Sequence, residues 1–170
     1  MLYSTESLER MTLFYQKVNA FTQHLSKIHS DRLQCKIGCS GCCIDDLEVF
    51  GIEAAYISKH FPEILNSQPN DTSKCAFLDS NGACRIYDAR PLICRSHGLP
   101  IRFVETDENN QTTEFIDICE LNENETPLDK IKIEDFWNEN LFSEVLVSLE
   151  LDANNKEINR VRLRDLFSKV

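Results

Sequence analysis

The chain has 170 residues, 42% of them hydrophobic and 27% charged, and a formal charge of −10. That length and balance suit one soluble globular domain with its own core, which neither disulfides nor a metal must replace. The acidic balance, with no basic stripe interleaved with aromatics, excludes nucleic acid and anionic lipid as natural partners.

Met1–Glu6 shows no basic segment leading into an apolar one. No run approaches the roughly 18 apolar residues of a membrane span. The expectation is a cytoplasmic protein with no membrane segment, where thiols stay reduced. In residues 6–28, Leu8, Met11, Tyr15, Val18, Leu25 and Ile28 recur at spacings of three, four and seven. This predicts an amphipathic helix capped by Ser4 or Thr5, with Met11 and the aromatics toward the core. His24 and His29, near its end, are expected to face solvent or the helix terminus.

The stretch Cys35-Lys36-Ile37-Gly38-Cys39-Ser40-Gly41-Cys42-Cys43 places four thiols in nine residues. Gly38 and Gly41 disfavour a long regular helix and allow the backbone to fold tightly. On a locally helical path Cys35, Cys39 and Cys42 would share a face, with Cys43 turned away from it. Residues 46–60 predict a second helix, with Leu47, Phe50, Ala54, Ile57 and Phe61 as its apolar stripe, Glu53 outside the stripe and Pro62 closing it. Residues 66–74 read as a polar loop. Cys75 to Cys84, with Asn81-Gly82 between them, reads as a short hairpin that brings the two cysteines together at its base. Arg85 to Gly98 follows as a helical turn with Pro91 early in it.

Two β-branched and aromatic runs, 99–104 and 112–118, predict a second antiparallel hairpin, with Cys119 at its end. A helix from about Glu134 to Leu149 would bury Phe136, Trp137, Leu141, Val145 and Leu149. A turn at 152–155 and a short helix at 160–167 would end the chain. The expected fold is therefore α+β: one small domain over residues 1–170, with helices at 6–28 and within 134–167 flanking a cysteine-rich core of about 35–119 that holds two short hairpins.

Eight cysteines in a cytosolic chain point to metal or redox work before structural disulfides. Thiolates are soft ligands that favour zinc, iron–sulfur clusters and Cu(I). A tetrahedral zinc takes four N or S donors, and an iron–sulfur cluster normally takes four cysteines. Eight thiols suffice for two such sites, for one site with spares, or for one sulfur-bridged multinuclear site. The alternatives for the nonapeptide are a disulfide or redox dithiol, or inert thiols. A bond between neighbours Cys42 and Cys43 would close a strained ring. His97 is a nitrogen ligand only in second place. Arg85, Arg90 and Arg95 ring the later cysteines; they either neutralise a thiolate site or bind an anionic substrate beside it. The interval before Cys39 and the lack of a Cys-Pro step depart from the bacterial ferredoxin spacing.

Two ordered motifs carry a family resemblance. The first is Cys35-x3-Cys39-x2-Cys42-Cys43. The second is Cys75-x-Phe77-Leu78, then Cys84-x-Ile86-Tyr87-x-x-Arg90-Pro91-x-x-Cys94-Arg95. Over roughly 35–119 the chain resembles the bacterial YkgJ-like family of cysteine-cluster proteins, whose members are described as zinc- or iron-chelating or as iron–sulfur proteins. The resemblance implies Cys35, Cys39, Cys42, Cys43, Cys75, Cys84 and Cys94 as metal ligands, with Cys119 matching only a looser expectation of a later cysteine. Flagellin lysine N-methylases carry a similar cluster but are larger, and this chain has no G-x-G-x-x-G nucleotide loop.

The leading expectation is a cytosolic protein that holds iron as an iron–sulfur cluster, for electron transfer or metal-dependent chemistry on a small or peptidic substrate. Arg90 and Arg95 would set charge and access at that cofactor. The rivals are a non-catalytic zinc-binding module, a metal storage or delivery protein and, at a distance, a component of a lysine N-methylase-like activity. A protein or peptide partner is compatible with all of them. No general-base constellation such as H-E-x-x-H is present, and no catalytic residue is assigned.

Overall fold

The structure, a computed structural model, describes residues 3–70 and 73–167. Asp71 and Thr72 of the expected polar loop, and Met1 and Leu2 of the N-terminal stretch, lie outside the described residues. In chain order the elements are α1 (Thr5–Ile28), β1 (Glu48–Phe50), α2 (Gly51–His60), α3 (Pro62–Leu65), α4 (Leu92–Ser96), β2 (Ile101–Thr106), β3 (Thr112–Asp117), β4 (Trp137–Asn138), α5 (Glu139–Ala153) and β5 (Arg160–Arg162). Single 3₁₀ turns fill several of the connections. This is an α+β fold, and among the described residues no helix is long and apolar enough to cross a membrane.

The chain gathers into two compact units. The first comprises the chain up to Phe14, Lys36–Pro91 and the chain from Val147; the second comprises Tyr15–Cys35 and Leu92–Leu146. Their boundaries fall inside α1 and α5, so each of these helices contributes to both.

Helix α1 forms where the periodicity places it. Ser4 Oγ accepts the Ser7 amide at 3.1 Å, one of the donors a helix start leaves unpaired. Leu8, Met11, Tyr15, Val18 and Leu25 are buried, whereas Ile28, the last residue of the helix, is exposed. Of the two expectations for His29, solvent or the helix terminus, the first does not hold. His29 is buried, and its Nε2–H donates to the Asp135 carbonyl at 2.7 Å, so a polar partner rather than solvent satisfies the ring.

In the first unit, the helix expected over 46–60 begins only at Gly51. Glu48–Phe50 instead pairs antiparallel with Arg160–Arg162, which had read as part of a final helix. Strand β5 then leads into a 3₁₀ turn at Leu163–Leu166. Three residues in each of two distant segments are too few for period-2 alternation to stand out from a helical pattern. Pro62 closes α2 as expected and also opens the short α3. Glu53 is buried rather than outside the stripe, because its carboxylate reaches back to the Phe50 amide at 3.1 Å.

A buried carboxylate ties this unit together. Glu150 is 0% exposed. Its Oε2 accepts the Ile52 amide at 2.8 Å, and its Oε1 accepts the Asn159 amide at 3.0 Å and the Tyr3 hydroxyl at 2.9 Å. Three donors, one of them at the positive end of α2, offset the cost of burying the charge. Gly51 leaves room for this arrangement: a Cβ there would collide with the Tyr3 hydroxyl and lie 2.6 Å from Asn159 Nδ2.

In the second unit, β2 and β3 form the expected hairpin, with Ile101 opposite Asp117 and Thr106 opposite Thr112. Phe103 and Phe115 stack across it at 5.1 Å between ring centroids. Residues 134–138 are not helical: a 3₁₀ turn at Ile133–Asp135 leads into β4, which runs parallel to β2. Asn140 extends that pairing with its side chain, accepting the Val104 amide at 2.7 Å and donating to the Val104 carbonyl at 2.9 Å. The later start of α5 rotates its buried face. Leu146 and Leu149 are buried, and Phe142 stacks on the buried Trp137 at 3.9 Å, whereas Leu141 and Val145 are exposed.

Replacing Glu150 by Gln exchanges one acceptor oxygen for an amide and leaves a buried donor unsatisfied. Denaturant unfolding should show a loss of roughly 1–3 kcal/mol. The same network raises the Tyr3 hydroxyl to about 12, first through burial and then through its hydrogen bond to the Glu150 carboxylate and the charge beside it. Because the folded value is raised, the stability it contributes is present below pH ~10, the ordinary tyrosine value, and is lost as pH rises through about 12. An ultraviolet pH titration should find Tyr3 ionising late, and Glu150→Gln should return it toward the ordinary range.

Candidate metal centre

None of the eight cysteines is fully buried: Cys35, Cys42 and Cys119 are exposed, and Cys39, Cys43, Cys75, Cys84 and Cys94 are half-buried. Cysteine is ordinarily among the most buried residue types, so this placement is not that of small hydrophobes filling a core. No disulfide joins any two of the eight, all of which lie among the described residues. The first unit holds Cys39, Cys42, Cys43, Cys75 and Cys84, and the second holds Cys35, Cys94 and Cys119.

In the first unit the nonapeptide forms successive tight turns rather than a helical face. The Cys39 amide donates to the Lys36 carbonyl at 2.9 Å, and the Cys43 amide to the Ser40 carbonyl at 3.1 Å. Gly38 has φ +89°, a value that side chains rarely adopt, so the helical i, i+4, i+7 alignment of the cysteines is not formed. The Cys43 carbonyl accepts the Cys75 amide at 3.0 Å, and Ile44 pairs with Lys74 in an antiparallel bridge. The two cysteine segments are thereby joined backbone to backbone.

The expected Cys75–Cys84 hairpin shrinks to one turn with one bridge, Leu78 to Cys84. Asp79 Oδ1 organises the turn by accepting the Asn81 and Ala83 amides, both at 2.8 Å. Gly82 has φ +77°, and a Cβ there would lie 3.4 Å from the Gly38 carbonyl oxygen. The turn thus rests against the nonapeptide where both chains lack side chains.

Cys75 and Cys84 are close enough that a charge on Cys75 raises Cys84. Burial pushes both thiols above the ordinary value, and it is the largest influence on each. A backbone amide two residues downstream opposes it in both cases, Phe77 at Cys75 and Ile86 at Cys84. Arg164 and Arg85 also favour the thiolate at Cys75, against Asp45, and Arg90 and Arg85 do so at Cys84. The repeated Cys-x-Phe77 and Cys-x-Ile86 geometry aims an N–H donor at each sulfur. Such donors, with nearby guanidinium groups, stabilise a thiolate once its proton has left.

Of the ringing arginines, Arg85 donates to Ser67 Oγ and the Ala76 carbonyl, both at 2.9 Å, with its guanidinium near the Phe167 ring. Arg90 lies 3.9 Å over the Tyr87 ring while acting on Cys84. Arg95 is only 4% exposed, 3.8 Å over the Tyr15 ring, with Nη1 donating to Asn19 Oδ1 at 2.5 Å. The structure therefore sets Arg85 and Arg90 beside a thiol and sets Arg95 in the packing of the second unit. His97 is exposed.

In that second unit, Cys94 lies within α4. Cys35 Sγ accepts the Asn122 side-chain amide at 3.4 Å, and the Asn122 backbone amide donates to the Cys119 carbonyl at 2.7 Å. Gly98 makes room for the sulfur, since a Cβ there would lie 2.5 Å from Cys35 Sγ.

Asn122, Arg164 and Asp45 were missed in the sequence. Asp45 Oδ1 accepts Arg164 Nε at 2.5 Å, and the same guanidinium donates to the Asn70 carbonyl at 2.7 Å. None of the three sits in a motif, and only long-range folding brings Arg164 and Asn122 to cysteine segments.

Among the described residues no three His, Cys, Asp or Glu side chains converge closely enough to hold a metal ion. What fits a metal is the chemistry of the donor set: partly exposed thiols, amide donors on sulfur and guanidinium groups beside them. Gly98 has φ +92°, and an added methyl would meet Cys35 Sγ as well as the unfavourable backbone. Gly98→Ala should lower stability by more than about 1 kcal/mol in denaturant unfolding and change the alkylation rate of Cys35 measured by mass spectrometry.

No curated protein and no solved structure matches the chain. Residues 34–124 match a protein family, CxxCxxCC, described as "Putative zinc- or iron-chelating domain". The pattern in the family's name has two residues in its first interval, where this chain has three between Cys35 and Cys39. The match spans more than half of the chain and takes in all eight cysteines, and by it the chain belongs to the CxxCxxCC family of zinc- or iron-chelating description.

Proposed function

We propose that the chain binds metal through its cysteine thiolates and that the metal is iron, held as an iron–sulfur cluster for electron transfer or metal-dependent chemistry. The observation that carries this reading is the pair Cys75 and Cys84. Each has a backbone amide aimed at its sulfur and arginines beside it, and Cys75 is bonded to the Cys43 end of the nonapeptide. Hydrogen bonds to ligand sulfurs and nearby charge are the means by which a protein tunes such a cluster. In this reading Cys39, Cys42, Cys43, Cys75 and Cys84 supply the ligands of the first unit, and Cys35, Cys94 and Cys119 those of the second. Bound there, the cluster supplies one-electron chemistry. Arg85 and Arg90 offset thiolate charge and limit access at Cys84.

A structural zinc site is the second reading. It is favoured by the sparse regular structure between Cys75 and Arg90, where one bridge and one 3₁₀ turn at Tyr87–Ala89 leave a metal to staple the loops.

Protein purified without oxygen should contain iron and acid-labile sulfide and show the broad visible absorption of thiolate-bound clusters. A colourless protein with stoichiometric zinc would replace the first reading with the second. Cys84→Ser should lose the chromophore, or the zinc, while Ser80→Ala in the same turn should keep it; full metal retention in Cys84→Ser would remove the second motif from the centre.

A further inference from the structure

Asn122 is 0% exposed, although its side chain is wholly polar. It lies in a 3₁₀ turn at Glu120–Asn122 that follows Cys119, outside every motif visible in the sequence. A buried amide has to satisfy both of its ends, and here the partners are specific. Its Oδ1 accepts the Gln34 amide at 2.8 Å. Its Nδ2 donates to the Gly98 carbonyl at 2.7 Å and to Cys35 Sγ at 3.4 Å. Its backbone amide donates to the Cys119 carbonyl at 2.7 Å. One side chain thus holds the residue before the first cysteine, that cysteine's sulfur and the glycine that clears space for it, while the backbone of the same residue closes the turn after the last cysteine.

We propose that Asn122 is a positioning residue for Cys35: it fixes where this sulfur points and donates a hydrogen bond to the thiolate when Cys35 ligates metal. This rests on the metal-binding reading above and adds to it a residue that lies outside the motifs. Two features support the role over simple packing. Sulfur is a weak acceptor as a thiol and a stronger one as a thiolate, so a donor placed on it gains most in the ligating state. Gly98 also has the positive φ and the missing Cβ that let Cys35 Sγ sit against the amide. A packing residue would not need a neighbour cleared for a sulfur atom. Partners that orient metal ligands are typically worth about 10–100-fold in metal affinity.

Asn122→Asp keeps the size and the acceptor for Gln34, removes both N–H donors and puts negative charge beside the sulfur. Anaerobic titration with cobalt(II), a coloured stand-in for zinc or iron, would compare the unmodified protein, Asn122→Asp, Cys35→Ser and the double variant. The expected result is about 10–100-fold weaker cobalt binding in Asn122→Asp, with no further loss when the change is made in Cys35→Ser. Unaltered binding in Asn122→Asp, or fully additive losses in the double variant, would overturn the inference while leaving the metal reading intact. An unmodified protein that takes up no cobalt would sink both. If Asn122→Asp does not fold by circular dichroism, the unmodified protein decides. Its Asn122 side-chain amide protons should shift in NMR spectra on cadmium binding, while those of the exposed Asn109 stay in place. An Asn122 signal that does not move would reject the role.

Discussion

The first unit depends on one buried charge. Glu150 has no contact with solvent, yet it reaches three segments far apart along the chain: Tyr3 at the start, Ile52 at the start of α2 and Asn159 before β5. A carboxylate in that position costs several kcal/mol unless it is fully hydrogen-bonded. The same requirement makes it a strong constraint, because Tyr3, Ile52 and Asn159 must all be brought to it. The two-stranded β1–β5 ribbon, marginal by itself, follows directly from where Asn159 is held.

The cysteine segments are held differently. They contain little regular structure, and their order comes from turns, the three positive-φ glycines Gly38, Gly82 and Gly98, and the Cys43–Cys75 backbone hydrogen bond. The sulfurs stay at or near the surface while polar donors collect around them: the Phe77 and Ile86 amides, the Asn122 side chain and the guanidinium groups of Arg85, Arg90 and Arg164. Burial raises Cys75 and Cys84, and the surrounding donors pull against it. That opposition suits a thiol that stays protonated until a cation displaces the proton.

Much of this organisation was legible in the residues, with failures that have physical causes. Helix α1 and the β2–β3 hairpin carry long, regular periodicity, and both formed at the expected places. The segments at 46–50, 134–138 and 160–167 did not follow their local pattern. There, strands of two or three residues take their conformation from a partner distant in sequence, and local pattern has no access to that partner. The buried face of α5 shifted for the same reason: once Trp137 enters β4, Phe142 rather than Leu141 stacks on it. His29 and Asn122 are polar residues whose burial rests on partners distant in sequence, one for His29 and three for Asn122, which composition does not register.

By itself the sequence determined the set of candidate donors: seven thiols in two ordered motifs with Cys119 beyond them, glycines where the chain must turn tightly, and arginines within the second motif. These are properties of residue type and spacing, and they survive any error in the placement of elements. Only the tertiary structure decided which groups act on which sulfur. It put Arg90 beside a thiol and Arg95 on Tyr15, brought Arg164 to Cys75 from the far end of the chain, and set Asn122 on the sulfur of Cys35. Hydrogen bonds and charge interactions fall off over a few ångströms, so proximity in space, which sequence distance does not encode, selects the residues that govern the chemistry of the nonapeptide and its partner cysteines.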